Sequence, residues 1–216
     1  LYLTLNNPAK ASENFMLYKD LIEKLYTKYP QNVGLKNELA VANHCLGKVY
    51  ESEENHPKAF EYIEKCYQLE KELFESFPMD TRIKNGYAVS CSSLGDLHSE
   101  QKNIEKALYY YLEFNRLEKE LSEAFPDNVV FKSSLATSLL NLGEMKFLQK
   151  DLDNAIQYYL LSNRLYEELH QSNPKNVDYK NSLALSHEII GHFYHQVEKQ
   201  DLSLQYYQQA IRLWTE

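Results

Sequence analysis

The densest group of side chains able to do chemistry is the stretch HEIIGHFYH, His187 to His195. On a helix Glu188, His192 and His195 share one face, at i, i+4 and i+7. A carboxylate and two imidazoles could hold Zn²⁺ with a water in the fourth position. The spacing differs from His-Glu-x-x-His, whose two imidazoles stand one turn apart, because His187 and His192 are five residues apart. Three ligands on one helix make a strained site, and no second cluster supports it. These residues therefore read first as the polar wall of a groove, and no metal or other cofactor is expected. No Gly-x-Ser-x-Gly elbow, Walker-type phosphate loop or Rossmann glycine cluster is present. Of six glycines, four recur in a fixed register, leaving nothing to build such loops from. Cys45, Cys66 and Cys91 contain no Cys-x-x-Cys pair and read as small hydrophobes, with reduced thiols fitting a cytoplasmic setting. The chain is expected not to be an enzyme.

The elements that must carry these side chains repeat. Pro30, Pro78, Pro126 and Pro174 stand 48 residues apart, as do Gly47, Gly95, Gly143 and Gly191. LKNELAVA, IKNGYAVS, FKSSLATS and YKNSLALS recur between them at the same offset. A fixed period of this length is the mark of a repeat array. The register divides the chain into a partial repeat 1–30, repeats 31–78, 79–126 and 127–174, and a truncated repeat 175–216, read as one array. Both ends fall inside a repeat and no polar capping helix is evident, so the chain is expected to be an excerpt of a longer protein.

Each repeat reads as two helices, A then B. A first helix is expected from Pro8 to about Lys28. Asn32, Asp80, Asn128 and Asn176 follow each proline by two residues and are expected to cap helix A, since a side-chain oxygen there takes an orphan N–H of the first turn. Leu35, Leu39, Ala42, Leu46 and Tyr50 give helix A its apolar face over about 20 residues. Asn55, Asn103 and Asp151 are expected to cap helix B, with the cap moving toward Asp201 in the last repeat. Helix B carries Ala59, Ile63, Cys66, Leu69, Leu73 and Phe77, repeated as Ala107, Tyr111, Phe114, Leu117, Leu121 and Phe125. The alanine and the helix A glycine are expected to let the pair approach closely. A mid-helix glycine costs about 1 kcal/mol against alanine, so its recurrence needs a packing reason. Ser203 replaces the alanine in the last repeat, where less regular packing is expected.

Leu46-Gly47 with Tyr50, then Ala59, Ile63 and Pro78, resembles the tetratricopeptide repeat, and Leu94-Gly95, Leu142-Gly143 and Ile190-Gly191 repeat the first part. The usual repeat is shorter, the tryptophan of the pattern is replaced by Asn43, Cys91, Leu139 and His187, and the helix A aromatic is kept as Tyr50 and Tyr194 but not at His98 and Lys146. The resemblance implies an all-α solenoid, a right-handed superhelix of about nine helices in antiparallel pairs, with helices A on the concave side. It also implies a scaffold that holds a peptide, helix or protein. A carboxylate-clamping subset of the family would use positions matching His44, Lys48, Val89, Ser93 and Thr137, where most of the needed donors are missing.

The period places four residue sets on the helix A face opposite the core stripe. The candidate partner-binding residues among them are Asn37, His44, Lys48, Asn85, Ser92, Asp96, Leu140, Glu144, Phe147, Asn181, Glu188, His192 and His195. The first row is nearly constant, as Asn37, Asn85, Ser133 and Asn181, and fits either bridging between helices or a hydrogen bond to a partner's backbone. The lower rows vary and are free to be specific. Lys36, Lys84, Lys132 and Lys180 form a second constant row near helix N-termini, where a cation opposes the macrodipole. A carboxylate from an adjacent helix is expected to compensate, or else an acidic partner. The surplus acid in LEKELFESF and LEKELSEAF is expected on a solvated convex face. A net charge of −8 without a basic stripe argues against nucleic acid, and no apolar run is long enough for a bilayer. A protein or peptide partner is expected, with self-association as a further possibility. The alternative role is a sensor or self-association arm of a larger signalling enzyme or protease.

Overall fold

The computed structural model describes the backbone of residues 8–215 and side chains from residue 12 onward. The segment Leu1 to Asn7, the start of the partial repeat 1–30, lies outside the described residues. Nine helices and no strand are present among the described residues. They are α1 (Pro8–Lys28), α2 (Val33–Ser52), α3 (His56–Ser76), α4 (Thr81–Glu100), α5 (Ile104–Ala124), α6 (Val129–Leu148), α7 (Leu152–Ser172), α8 (Val177–Gln196) and α9 (Gln200–Thr215). The chain forms two compact units, Leu1–Tyr110 and Tyr111–Glu216.

Helix A spans 20 residues in every repeat, about 30 Å at 1.5 Å per residue. Its start is set by the expected caps. The side chains of Asn32, Asp80, Asn128 and Asn176 each accept backbone N–H groups of the first turn. Helix B starts differ. Asn55 and Asn103 accept from the N–H groups of Lys58 and Lys106. Asp151 makes no such bond and instead accepts from Asn154 Nδ2 at 2.8 Å, with Lys146 at 3.7 Å. The last helix B begins at Gln200, so Asp201 lies within its first turn rather than at its cap.

The A-to-B turn is the same whether or not helix B is capped in this way. Glu54, Lys102, Lys150 and Glu198, again 48 residues apart, all have left-handed backbone at φ 56° to 63°. In the first turn Asn55 N donates to Tyr50 O at 2.8 Å and Glu54 N donates to Glu51 O at 2.9 Å. This 6→1 and 5→2 pairing is a Schellman stop, built here on a non-glycine residue. It reverses the chain within three residues and makes A and B antiparallel neighbours.

In the first unit α2 packs on α3 and α3 on α4; in the second α6 packs on α7, α7 on α8 and α8 on α9. The glycines do what their recurrence suggested. A Cβ at Gly47 would stand 2.4 Å from Ile63 Cδ1, one at Gly143 would stand 2.6 Å from the Tyr159 ring, and one at Gly191 would stand 2.9 Å from the Tyr207 ring. Ser203 is buried like the alanines it replaces, so the last pair keeps the same register rather than loosening. Phe77 and Phe125, read as core, are 43% exposed, because each follows the last helical residue and swings out before the proline.

Three pairs of rings hold A and B together beside the turn that joins them. Tyr50 stacks on Tyr62 at 5.5 Å, His98 on Tyr110 at 5.5 Å and Tyr194 on Tyr206 at 5.6 Å. His98 thus supplies the aromatic that the sequence pattern suggested was lost. Burial lowers its pKa, which keeps the imidazole neutral and ring-like. At Lys146 the ring is replaced by an ammonium directed to Asp151 and Gln149.

Two expectations about charge divide. Lys36 bonds Glu72, and Lys132 bonds Glu168 at 3.1 Å, each 36 residues on along the chain in helix B of the same repeat. The acid of helix B is not all solvated, however. Glu70 is 3% and Glu118 0% exposed, with Glu70 Oε2 and both Glu118 oxygens lacking a hydrogen-bond partner. Burial pushes each carboxyl up to about 7. Glu70 fits because Gly86 leaves the space: a Cβ there would lie 2.6 Å from Glu70 Oε2.

Candidate functional site

Helix A side chains turned away from the core meet different surroundings in the two units. In the first, His44 Nε2 lies 3.2 Å from Ser93 Oγ, joining α2 to α4 across the face. Burial, then the Lys48 ammonium, lowers the His44 pKa. Lys48 pairs within its own helix with Glu51 at 2.8 Å. Asn37, Asn85, Ser92 and Asp96 are half-buried along the same two helices. On this unit one candidate residue, His44, reaches across to the next helix A, and another, Lys48, is paired within its own helix.

In the second unit the matching positions are apolar. Leu140 stands where His44 does, and Ile189 where Ser93 does. No polar bond bridges these two, and a groove of about 770 Å³ lies between α6 and α8. Leu140, Glu144 and Phe147 come from α6, and Glu188 and His192 from α8, so five of the candidate residues meet in it. Asn181 and His195 lie outside the lining, exposed on α8, and His195 Nδ1 stands 3.3 Å from Gln200 Oε1. Among the described residues no three His, Cys, Asp or Glu side chains converge as a metal site would need.

The groove's floor comes from residues not chosen as site candidates. Tyr159 and Tyr166 of α7 rise between the two walls, and Leu185 of α8 adds an aliphatic edge that is 48% exposed. Tyr166 OH is 2.9 Å from Thr137 Oγ1. Burial, and then the Glu144 carboxylate, push the Tyr159 hydroxyl up. The sequence carried a signal for Tyr159, which takes the place of Ile63 and Tyr111 on the helix B core stripe and has a hydroxyl that must reach something polar. Leu140 and Phe147 pack partly against the buried Tyr159 and Phe193, which fixes the groove's apolar surface to the core beneath it.

Among the described residues no helix is long and apolar enough to cross a membrane. The tetratricopeptide repeat model matches residues 136–168, on α6 and α7, and 185–213, on α8 and α9, and the groove's lining apart from Ser182 falls within them. No curated protein matches the sequence. Several solved structures share the fold. BtubC (BKLC) from P. vanneervenii is 15% identical over 96% of this chain and 74% of that one, with a TM-score of 0.67. The apo form of RapI is 12% identical over 98% of this chain and 86% of that one, at 0.54. A putative kinesin light chain from Podospora anserina with nearly identical TPR-like repeats is 12% identical over 97% of each chain, at 0.53. The helix pairs in 48-residue register, with a glycine seated against helix B, are thus similar to tetratricopeptide repeats, and the repeat model of that family matches within the last two pairs.

Proposed function

We propose that this protein-interaction scaffold binds a peptide or helix of a partner protein on its helix A face, in the groove between α6 and α8. The observation that carries the reading is the groove itself. Its about 770 Å³ fall within the roughly 300–1,000 Å³ of pockets that enclose ligands, and apolar side chains line it between polar edges. Residues 137 to 148 of α6 cover about 16 Å at 1.5 Å per residue, which accommodates three turns of a helix or about five residues of extended chain. The absence of the polar link seen between His44 and Ser93 leaves the second unit's face open to such a segment.

A library of displayed 12-residue peptides panned on the purified protein tests this. Enriched peptides should bind in solution and lose at least tenfold in affinity to Leu185→Arg, which places a charge on an exposed edge without disturbing the core. Peptides that bind the variant as well as the wild type would place binding elsewhere and refute the groove.

A further inference from the structure

We infer that the segment held between α6 and α8 is cationic as well as apolar: a stretch that sets a leucine- or phenylalanine-type side chain on the floor and lays lysine or arginine over the walls. The inference rests on the groove reading above and adds the partner's chemistry to it. Two formal negative charges, Glu144 on one wall and Glu188 on the other, line the groove, and among the described residues no lysine or arginine does. Both carboxylates are on exposed residues at the groove's edges, while Tyr159 and Tyr166 supply the floor and Leu140 and Phe147 the apolar part of the α6 wall. An acidic segment would bring like charge against both walls. A neutral apolar segment would cover the exposed Glu188 carboxylate and displace its water, which costs free energy unless the ligand supplies a donor. A basic side chain offers a charge-assisted hydrogen bond at that place, and the apolar floor covers its methylene stem. The first unit lacks this combination, since Lys48 stands among its lower rows and His44 is held by Ser93.

The test uses the whole 216-residue chain and two fluorescein-labelled synthetic peptides of 12 residues. Both carry leucine and phenylalanine at i, i+3, i+4 and i+7, with lysine at the polar positions of one and glutamate in the other. The lysine peptide should bind at least tenfold tighter by fluorescence anisotropy, and its affinity should fall as salt rises from low to about 0.5 M. Glu188→Lys should remove most of that preference. Glu105→Lys makes the same charge change on an exposed position of α5 and should leave the preference intact. Equal loss in the two variants would trace the preference to net charge and overturn the inference. Equal binding of both peptides, abolished by Leu185→Arg, would overturn the cationic partner while the groove reading stands. Binding of either peptide that is indifferent to Leu185→Arg, or no binding of either peptide, would overturn both.

Discussion

Replacing Glu70 by glutamine should make the protein more stable at neutral pH, by an amount that depends on pH in one direction only. The carboxyl is 3% exposed, its Oε2 has no hydrogen-bond partner, and it sits in the space left by Gly86. Burial pushes its pKa from 4.5 to about 7, against the smaller opposing pull of Arg82. Below pH 4.5 the group is protonated both folded and unfolded and contributes no pH dependence. Between 4.5 and 7 the unfolded chain loses the proton and the folded chain keeps it, so stability falls as pH rises; above 7 the loss is complete. At 1.36 kcal/mol per pH unit this comes to about 3 kcal/mol. Glutamine has nearly the same shape and cannot ionise. The melting temperature of Glu70→Gln, followed by circular dichroism from pH 4.5 to 8, should match the wild type at the acid end. It should exceed the wild type by about 6–12 °C above pH 7, at 2–4 °C per kcal/mol for a chain of this size. Glu118→Gln should behave alike, since that carboxyl is 0% exposed and both oxygens lack partners. A difference between wild type and variant that stays flat with pH, or a variant less stable above pH 7, would refute the reasoning, because it would mean the ionised carboxylate is well solvated or paired in the fold.

Other substitutions probe the turn, the helix contact and the ring stack. Lys102→Gly should raise stability by about 1 kcal/mol, measured by urea unfolding, because Lys102 holds φ at 58° where a side chain is disfavoured. Gly47→Ala should lower it by about 1–3 kcal/mol through overpacking against Ile63, and adding Ile63→Val should recover part of that by removing the nearest atom, Cδ1. His98→Phe should remove a loss of stability as pH falls below 6.5. The folded imidazole, between Phe60 and Tyr110, resists the proton that the unfolded chain accepts. Thermal melts of the two proteins should therefore diverge only on the acid side.

Much of the site was visible as a pattern before any packing was known. The helix A rows were legible because a 3.6-residue period puts residues 140, 144 and 147, and 188 and 192, on common faces. That five of the thirteen candidate residues share one groove was not legible, since a row lists what points outward and not which neighbouring row leaves space. Tyr159 and Tyr166 were hidden for the opposite reason. Tyr159 belongs to the core stripe and Tyr166 takes the place of Glu70 and Glu118, and only the gap between α6 and α8 turns part of their surface into a floor. His44 read as an outward residue, yet its ring finds Ser93 at a distance of 49 positions in sequence, a contact local periodicity does not encode.

The sequence by itself determined the helices, their 48-residue register, the helix A caps and the glycine contact, because these depend on spacing and on groups within one or two turns of each other. For the lysine row it left a neighbouring carboxylate and an acidic partner both open, and at Lys36 and Lys132 the structure supplies the carboxylate, 36 residues on in helix B. The tertiary structure decided which polar residues are buried. Glu70 belongs to a run that looks solvated by composition, and it is buried because a glycine on the next helix opens a space for its carboxyl. It decided too that His98 acts as a ring, and that His44 meets Ser93 across α2 and α4 in one unit while a groove lies between α6 and α8 in the other. Burial and cavity shape are properties of how helices meet, and a single helix's sequence specifies only the side it offers to that meeting.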